Sequence, residues 1–141
     1  MGTSASSSEF KQAIRQLLID NSDVYALVKN RVYGNHLQTP DVKTVEMPLV
    51  IIEFYLGDTS SMGGYQKIIF ELWCYTRTGS GEALQLYDTC FAALQHNLAS
   101  VSGIDAKGYC LEMNRPTEGF NEMPRAYFAR GRWIGRAGQY P

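Results

Sequence analysis

The chain has 141 residues, 45% of them hydrophobic, 12% aromatic and 19% charged, which suits one globular domain with its own core. The longest uninterrupted aliphatic run, Leu49–Ile52, excludes a membrane span or a signal-peptide core. Three widely spaced cysteines without a CxxC pair exclude a disulfide frame or zinc site and read as free thiols in a reducing cytosol. Net charge is −1 but uneven: residues 123–141 hold Arg125, Arg130, Arg132, Arg136 and no acid, leaving nine bases against fourteen acids elsewhere. Such asymmetry points to nucleic acid, or to a basic segment docking on an acidic one within or between subunits.

The start, MGTSASSS, predicts a disordered arm over 1–7, followed by a single domain over 8–141. Ser6 and Glu9 have capping-box spacing, and Phe10, Ala13, Ile14, Leu17 and Leu18 recur at helical period, which places a helix at about 8–20. After DNS, Ser22 is the expected cap of a short helix, 23–30, with Val24, Leu27 and Val28 inward. Residues 34–47 have no period and read as a long functional loop. A strand is expected at 48–57, a flexible hairpin tip at 57–64 and a second strand at 65–77. A helix over about 80–99 carries Leu84, Tyr87, Phe91, Leu94 and Leu98 as an apolar stripe. Strands at 107–115 and 124–136 flank the turn-rich RPTEGFNEMP. The order α-α-β-β-α-β-β predicts an α+β fold: one mainly antiparallel four-stranded sheet with helices on one face.

Alternation along each strand assigns two faces. Val50, Ile52, Phe54 and Leu56 mark the helix side of the first strand, as Ile68, Phe70, Leu72 and Cys74 do in the second. Tyr109, Leu111 and Met113 are expected there from the third strand, and Tyr127, Ala129, Gly131 and Trp133 from the last. The second face then collects Glu53, Glu71, Glu112, Arg130 and Arg132 among Ile51, Ile69, Trp73, Tyr75 and Phe128, with Cys110 beside them. A solvated face does not need such large apolar groups, and a buried face does not tolerate five charges. The mixture fits a protein–protein contact in which Arg–carboxylate pairs fix register.

Glu53 near Glu71 is also the hardware of glycoside hydrolysis, but with arginines at hand a structural ion-pair network is the better reading. His36 and His96 lack a ligand cluster. GSGEAL lacks the third glycine and the lysine of a phosphate cradle, and Ser80 does not sit in a GxSxG elbow. No catalytic residue, cofactor or metal is assigned. ARGRWIGR, arginines alternating with aromatics, supports the alternative of a small nucleic-acid-binding module, which the glutamates of the same face oppose.

VYALVKNRVYGN (24–35), MPLVIIEF (47–54) and FELWCYTRTGSGEALQLYDTCFAAL (70–94) resemble the tail terminator, or tail completion, proteins of long-tailed bacteriophages, similar to the lambda-type minor tail protein fold. The resemblance spans about 24–136. It implies a non-enzymatic virion protein at the tail–neck junction, assembled in the host cytoplasm. Such a protein forms a ring, expected to be hexameric, that caps the head-proximal end of the tail tube and ends its polymerisation. Its implied partners are itself, the tail tube protein and the head connector, with genomic DNA passing through the lumen without sequence-specific binding and no membrane. The expected subunit interface is Glu53, Glu71, Trp73, Tyr75, Glu112, Phe128, Arg130 and Arg132. His36, Asp58, Ser60, Met62 and Gly63, in the loop and the tip, are the expected axial contacts.

Overall fold

A computed structural model describes residues 7–34, 46–54, 60–62, 65–95, 98–101, 106–112, 114, 116–121 and 125–139. The fold is α+β, and the described residues include three helices: α1 (Ser7–Asp20), α2 (Ser22–Val28) and α3 (Ser80–Leu94). Among the described residues eight strands form one sheet: β1 (Val32–Tyr33), β2 (Leu49–Phe54), β3 (Ser60–Met62), β4 (Tyr65–Thr76), β5 (Leu98–Val101), β6 (Ala106–Glu112), β7 (Thr117–Asn121) and β8 (Ala126–Gln139). The path runs β1-β2-β4-β8-β6-β5, with β3 on β4 and β7 on β8. The four expected strands are its centre. Four short strands extend it, and the parallel β1–β2 pair makes it mixed rather than purely antiparallel.

The helices follow from spacing and caps. On α1, Ala13, Ile14 and Leu18 are buried, and full burial of an Ile or Leu is worth about 1.5–3 kcal/mol each. Asn21, not Ser22, caps α2: its Oδ1 accepts from the amides of Asp23 and Val24, each at 3.0 Å. Val24 and Val28, one turn apart, point inward, while Leu27 is 41% exposed, contrary to expectation. α2 ends at Lys29 with φ 57°, a backbone region that side chains disfavour. Arginines on either side of α2 in the chain hold the edge of the sheet. Arg31 Nε donates to Pro48 O at 2.9 Å, and Arg15 Nε on α1 donates to Val32 O at 2.7 Å.

Helix α3 stops at Leu94, short of the expected 99. Gln95 turns extended, with ψ 118°, and its Oε1 accepts from the Glu112 amide at 3.0 Å. The chain then pairs with β6 as β5. The buried side of α3 is Ala83, Leu86, Tyr87, Cys90, Ala93 and Leu94, with Leu84 and Phe91 on its margin. The expected stripe was thus rotated, and Leu98 belongs to β5. RPTEGFNEMP also contains a strand, β7, rather than only turns. Its Gly119 lies under the Phe128 ring, with Cζ 2.6 Å from where a Cβ would stand.

Two clusters of buried side chains lie on opposite faces of the sheet. Under the helices, Val50, Ile52, Phe70, Leu72, Cys74, Ala129 and Trp133 join the α1, α2 and α3 side chains. On the other face, Leu49, Ile51, Tyr75 and Ala126 are buried, with Tyr33, Met47, Trp73 and Phe128 against them. Residues 1–6 of the expected 1–7 arm, with the Ser6 cap, lie outside the described residues, as do residues 35–45 of the loop, while Ser7 begins α1 rather than ending the arm. No described helix is long and apolar enough to cross a membrane.

Candidate subunit-contact surface

Register across β2, β4, β8 and β7 arranges the second face in rows. Glu53 pairs with Glu71 and Glu71 with Arg132. The next row is Ile51, Trp73, Arg130 and Thr117, and the one after it Leu49, Tyr75, Phe128 and Gly119. Ile69 and Ile134 begin the row on the other side of the charges. Seven of the eight expected interface residues therefore share one face.

The aromatic rows pack closely. Trp73 and Tyr75 stack at 5.8 Å and 9°, and Trp73 meets Phe128 at 5.1 Å and 47°. The Arg130 guanidinium lies 5.0 Å over the Trp73 ring, with Nε 3.8 Å from Glu71 Oε2. A pair that long with a side chain 40% exposed contributes little stability, but it places Arg130 where a cation–π contact can hold it. Tyr75 is fully buried, so its surface is already used within the chain. Its hydroxyl accepts from Asn121 Nδ2 at 3.2 Å. Burial pushes the Tyr75 phenol up to about 12, with the Glu53 charge adding to the rise while the Asn121 hydrogen bond and Arg130 oppose it.

Glu112 is the correction. It pairs with Trp133, in a helix-side row, and Cys110 pairs with Gly135 in another. The assigned faces of β6 were therefore inverted. Tyr87 of α3 donates its hydroxyl to Glu112 Oε2 at 2.5 Å, and Trp133 Nε1 donates to the same hydroxyl at 3.0 Å. Burial, then the hydrogen bond and charge of Glu112, drive the Tyr87 phenol far above its ordinary range, with the Trp133 bond opposing. Sequence reasoning missed this network because a carboxylate on a helix-packed face is costly without a donor, and that donor lies 25 residues away.

Of the expected axial contacts, His36, Asp58 and Gly63 lie outside the described residues. Ser60 and Met62 fall in β3, opposite Lys67 and Tyr65. Among the described residues no group of three or more His, Cys, Asp or Glu could hold a metal.

A concavity of about 320 Å³ opens between α2, α3 and the start of β2. Leu27, Met47, Pro48 and Leu86 give it apolar walls, and Thr76, Arg77, Thr78, Glu82 and Gln85 form the rest of its lining. Thr78 Oγ1 hydrogen-bonds both Thr76 Oγ1, at 2.8 Å, and the Glu82 carboxylate, which fixes the turn entering α3. Nothing in the sequence period marked this groove, because Leu27 was assigned to the core.

Compared with models of known protein families and with curated proteins, the sequence matches none.

Proposed function

We propose that the chain is a structural ring subunit that caps the head-proximal end of a phage tail tube and joins it to the head connector. The observation that supports this most is a sheet with side chains to pack on both faces. One face is covered by helices, and the other carries half-exposed Glu53, Glu71, Trp73, Phe128 and Arg130 with exposed Arg132. A closed ring needs a second surface of this mixed kind. Tyr75 supports that surface from beneath, and Glu112 braces the helix side.

The two ends of the β2–β4 ladder also fit an axial role. Leu49, which follows the 34–47 loop, pairs with Tyr75 at one end of the β2–β4 ladder, while Phe54, which precedes the 57–64 tip, pairs with Phe70 at the other. One end can meet the tube and the other the connector. The subunit works by binding and has no catalytic step. The competing use of the arginines, holding nucleic acid, is weakened by Arg130, which is engaged by Glu71 and Trp73.

The test is to add the purified chain to growing tail tubes and image them by electron microscopy. Tubes of fixed length carrying an extra ring at one end support the proposal. Tubes that keep growing with bare ends contradict it.

A further inference from the structure

Cys74 on β4 and Cys90 on α3 are both fully buried and both free. They belong to the helix-side core, and their thiols share a hydrogen bond across the contact between α3 and β4. Small residues let the two layers approach there. Ala129 pairs with Cys74 on the neighbouring strand, and Ala83 and Ala93 share the buried side of α3 with Cys90. At Gly131 the β8 backbone lies against the Tyr87 hydroxyl, with no room for a Cβ. One buried cysteine is a small apolar filler. Two in contact, on elements held together only by packing, can also be joined.

We propose that Cys74 and Cys90 are a redox pair, converted by a disulfide oxidant to a disulfide that fastens α3 to β4. A thiolate of the pair attacks one sulfur of glutathione disulfide and displaces a glutathione thiolate. The other cysteine, also as thiolate, then attacks the mixed disulfide and displaces the second. The cysteines lose two protons and two electrons, and glutathione disulfide is reduced to two glutathione molecules. The sulfurs close from hydrogen-bond contact to about 2.05 Å, a small shift for a helix resting on alanine and glycine. Burial, and then the hydrogen bond to Cys90, push the Cys74 thiol up. Little thiolate therefore forms in the closed fold, and oxidation waits for α3 to lift. The reduced pair is inert packing, and the oxidised pair is a clasp closing a loop of about 15 residues. It lies on the helix side of the sheet, so it does not depend on the ring reading. On that reading, assembly in a reducing cytosol precedes exposure to an oxidising exterior, and the clasp sets in the finished particle.

The experiment uses the full wild-type chain. It is held with glutathione disulfide in urea below the unfolding midpoint, which lets α3 open. It is then denatured, alkylated with iodoacetamide and digested without reductant. The expected product is a linked peptide pair carrying Cys74 and Cys90, lighter than the two free peptides by two hydrogens. After removal of urea the oxidised chain should melt about 10 °C higher than the reduced one, and dithiothreitol should reverse the rise. Cys74→Ala and Cys90→Ala, each compared with and without oxidant, are expected to show no rise. Thiols that are alkylated, that carry separate glutathione adducts or that bond to Cys110 instead would overturn the pair. So would a Cys74–Cys90 bond that forms without raising the melting midpoint.

Discussion

The Tyr87 hydroxyl sits between the Glu112 carboxylate and the Trp133 indole, 2.5 Å from one and 3.0 Å from the other. It ties α3 to β6 and β8 through a single polar atom inside an apolar layer. Removing it leaves a carboxylate and an indole N–H without that bond. Tyr87→Phe is therefore expected to lower unfolding stability by about 1–3 kcal/mol, measured by urea denaturation. A change below about 0.5 kcal/mol would mean that the network is not a structural brace.

Gly131 is small because Tyr87 lies across it. A Cβ there would collide with the Tyr87 hydroxyl and ring carbons. Gly131→Ala should cost about 1–3 kcal/mol through overpacking. Combined with Tyr87→Phe, the loss should be less than additive, because part of the collision disappears. Additive losses in the double-mutant cycle would show that the alanine acts elsewhere.

The faces of β2, β4 and β8 were legible because period-2 alternation separates Val50, Ile52 and Phe54 from Ile51 and Glu53, and Phe70 and Leu72 from Glu71 and Trp73. Strand β6 was not legible. In Tyr109–Glu112 both parities contain apolar residues, and the deciding fact is register with Trp133, which is tertiary. β7 was hidden by Gly119, a residue that weakens a strand in isolation yet is needed beneath Phe128. β5 was hidden because Leu98 continues the helical period of α3. The mixed character of the second face was legible in its charges and aromatics. The groove was not, because only the fold brings Met47 and Pro48 beside Leu27.

Lys29 holds φ 57° and ψ −125° at the end of α2, where a side chain is strained and glycine is not. Lys29→Gly should stabilise the chain by about 1 kcal/mol, the relief of such a backbone exceeding the added freedom of the unfolded glycine. A thermal melt showing a lower midpoint would refute this.

Alkaline pH should weaken the fold. The Tyr75 phenol titrates at about 12 in the folded chain against 10 ordinarily, so the folded state retains a proton that the unfolded state releases. Its contribution is complete below pH 10 and declines as pH rises toward 12. The loss is on the order of 2 kcal/mol, and Tyr87, raised in the same direction, adds to it. Urea denaturation at pH 8 and pH 11 checks the sign, and Tyr75→Phe should reduce the difference.

Solution mass tests the central claim most directly. Light scattering on the wild type, with nucleic acid removed and over a wide concentration range, should show a closed ring of about six subunits or a monomer–ring equilibrium. Charge reversal at Arg130 or Arg132 should shift that equilibrium toward folded monomer. A mass that stays at one chain at every concentration, or association that both reversals leave unchanged, would contradict a ring built on this face.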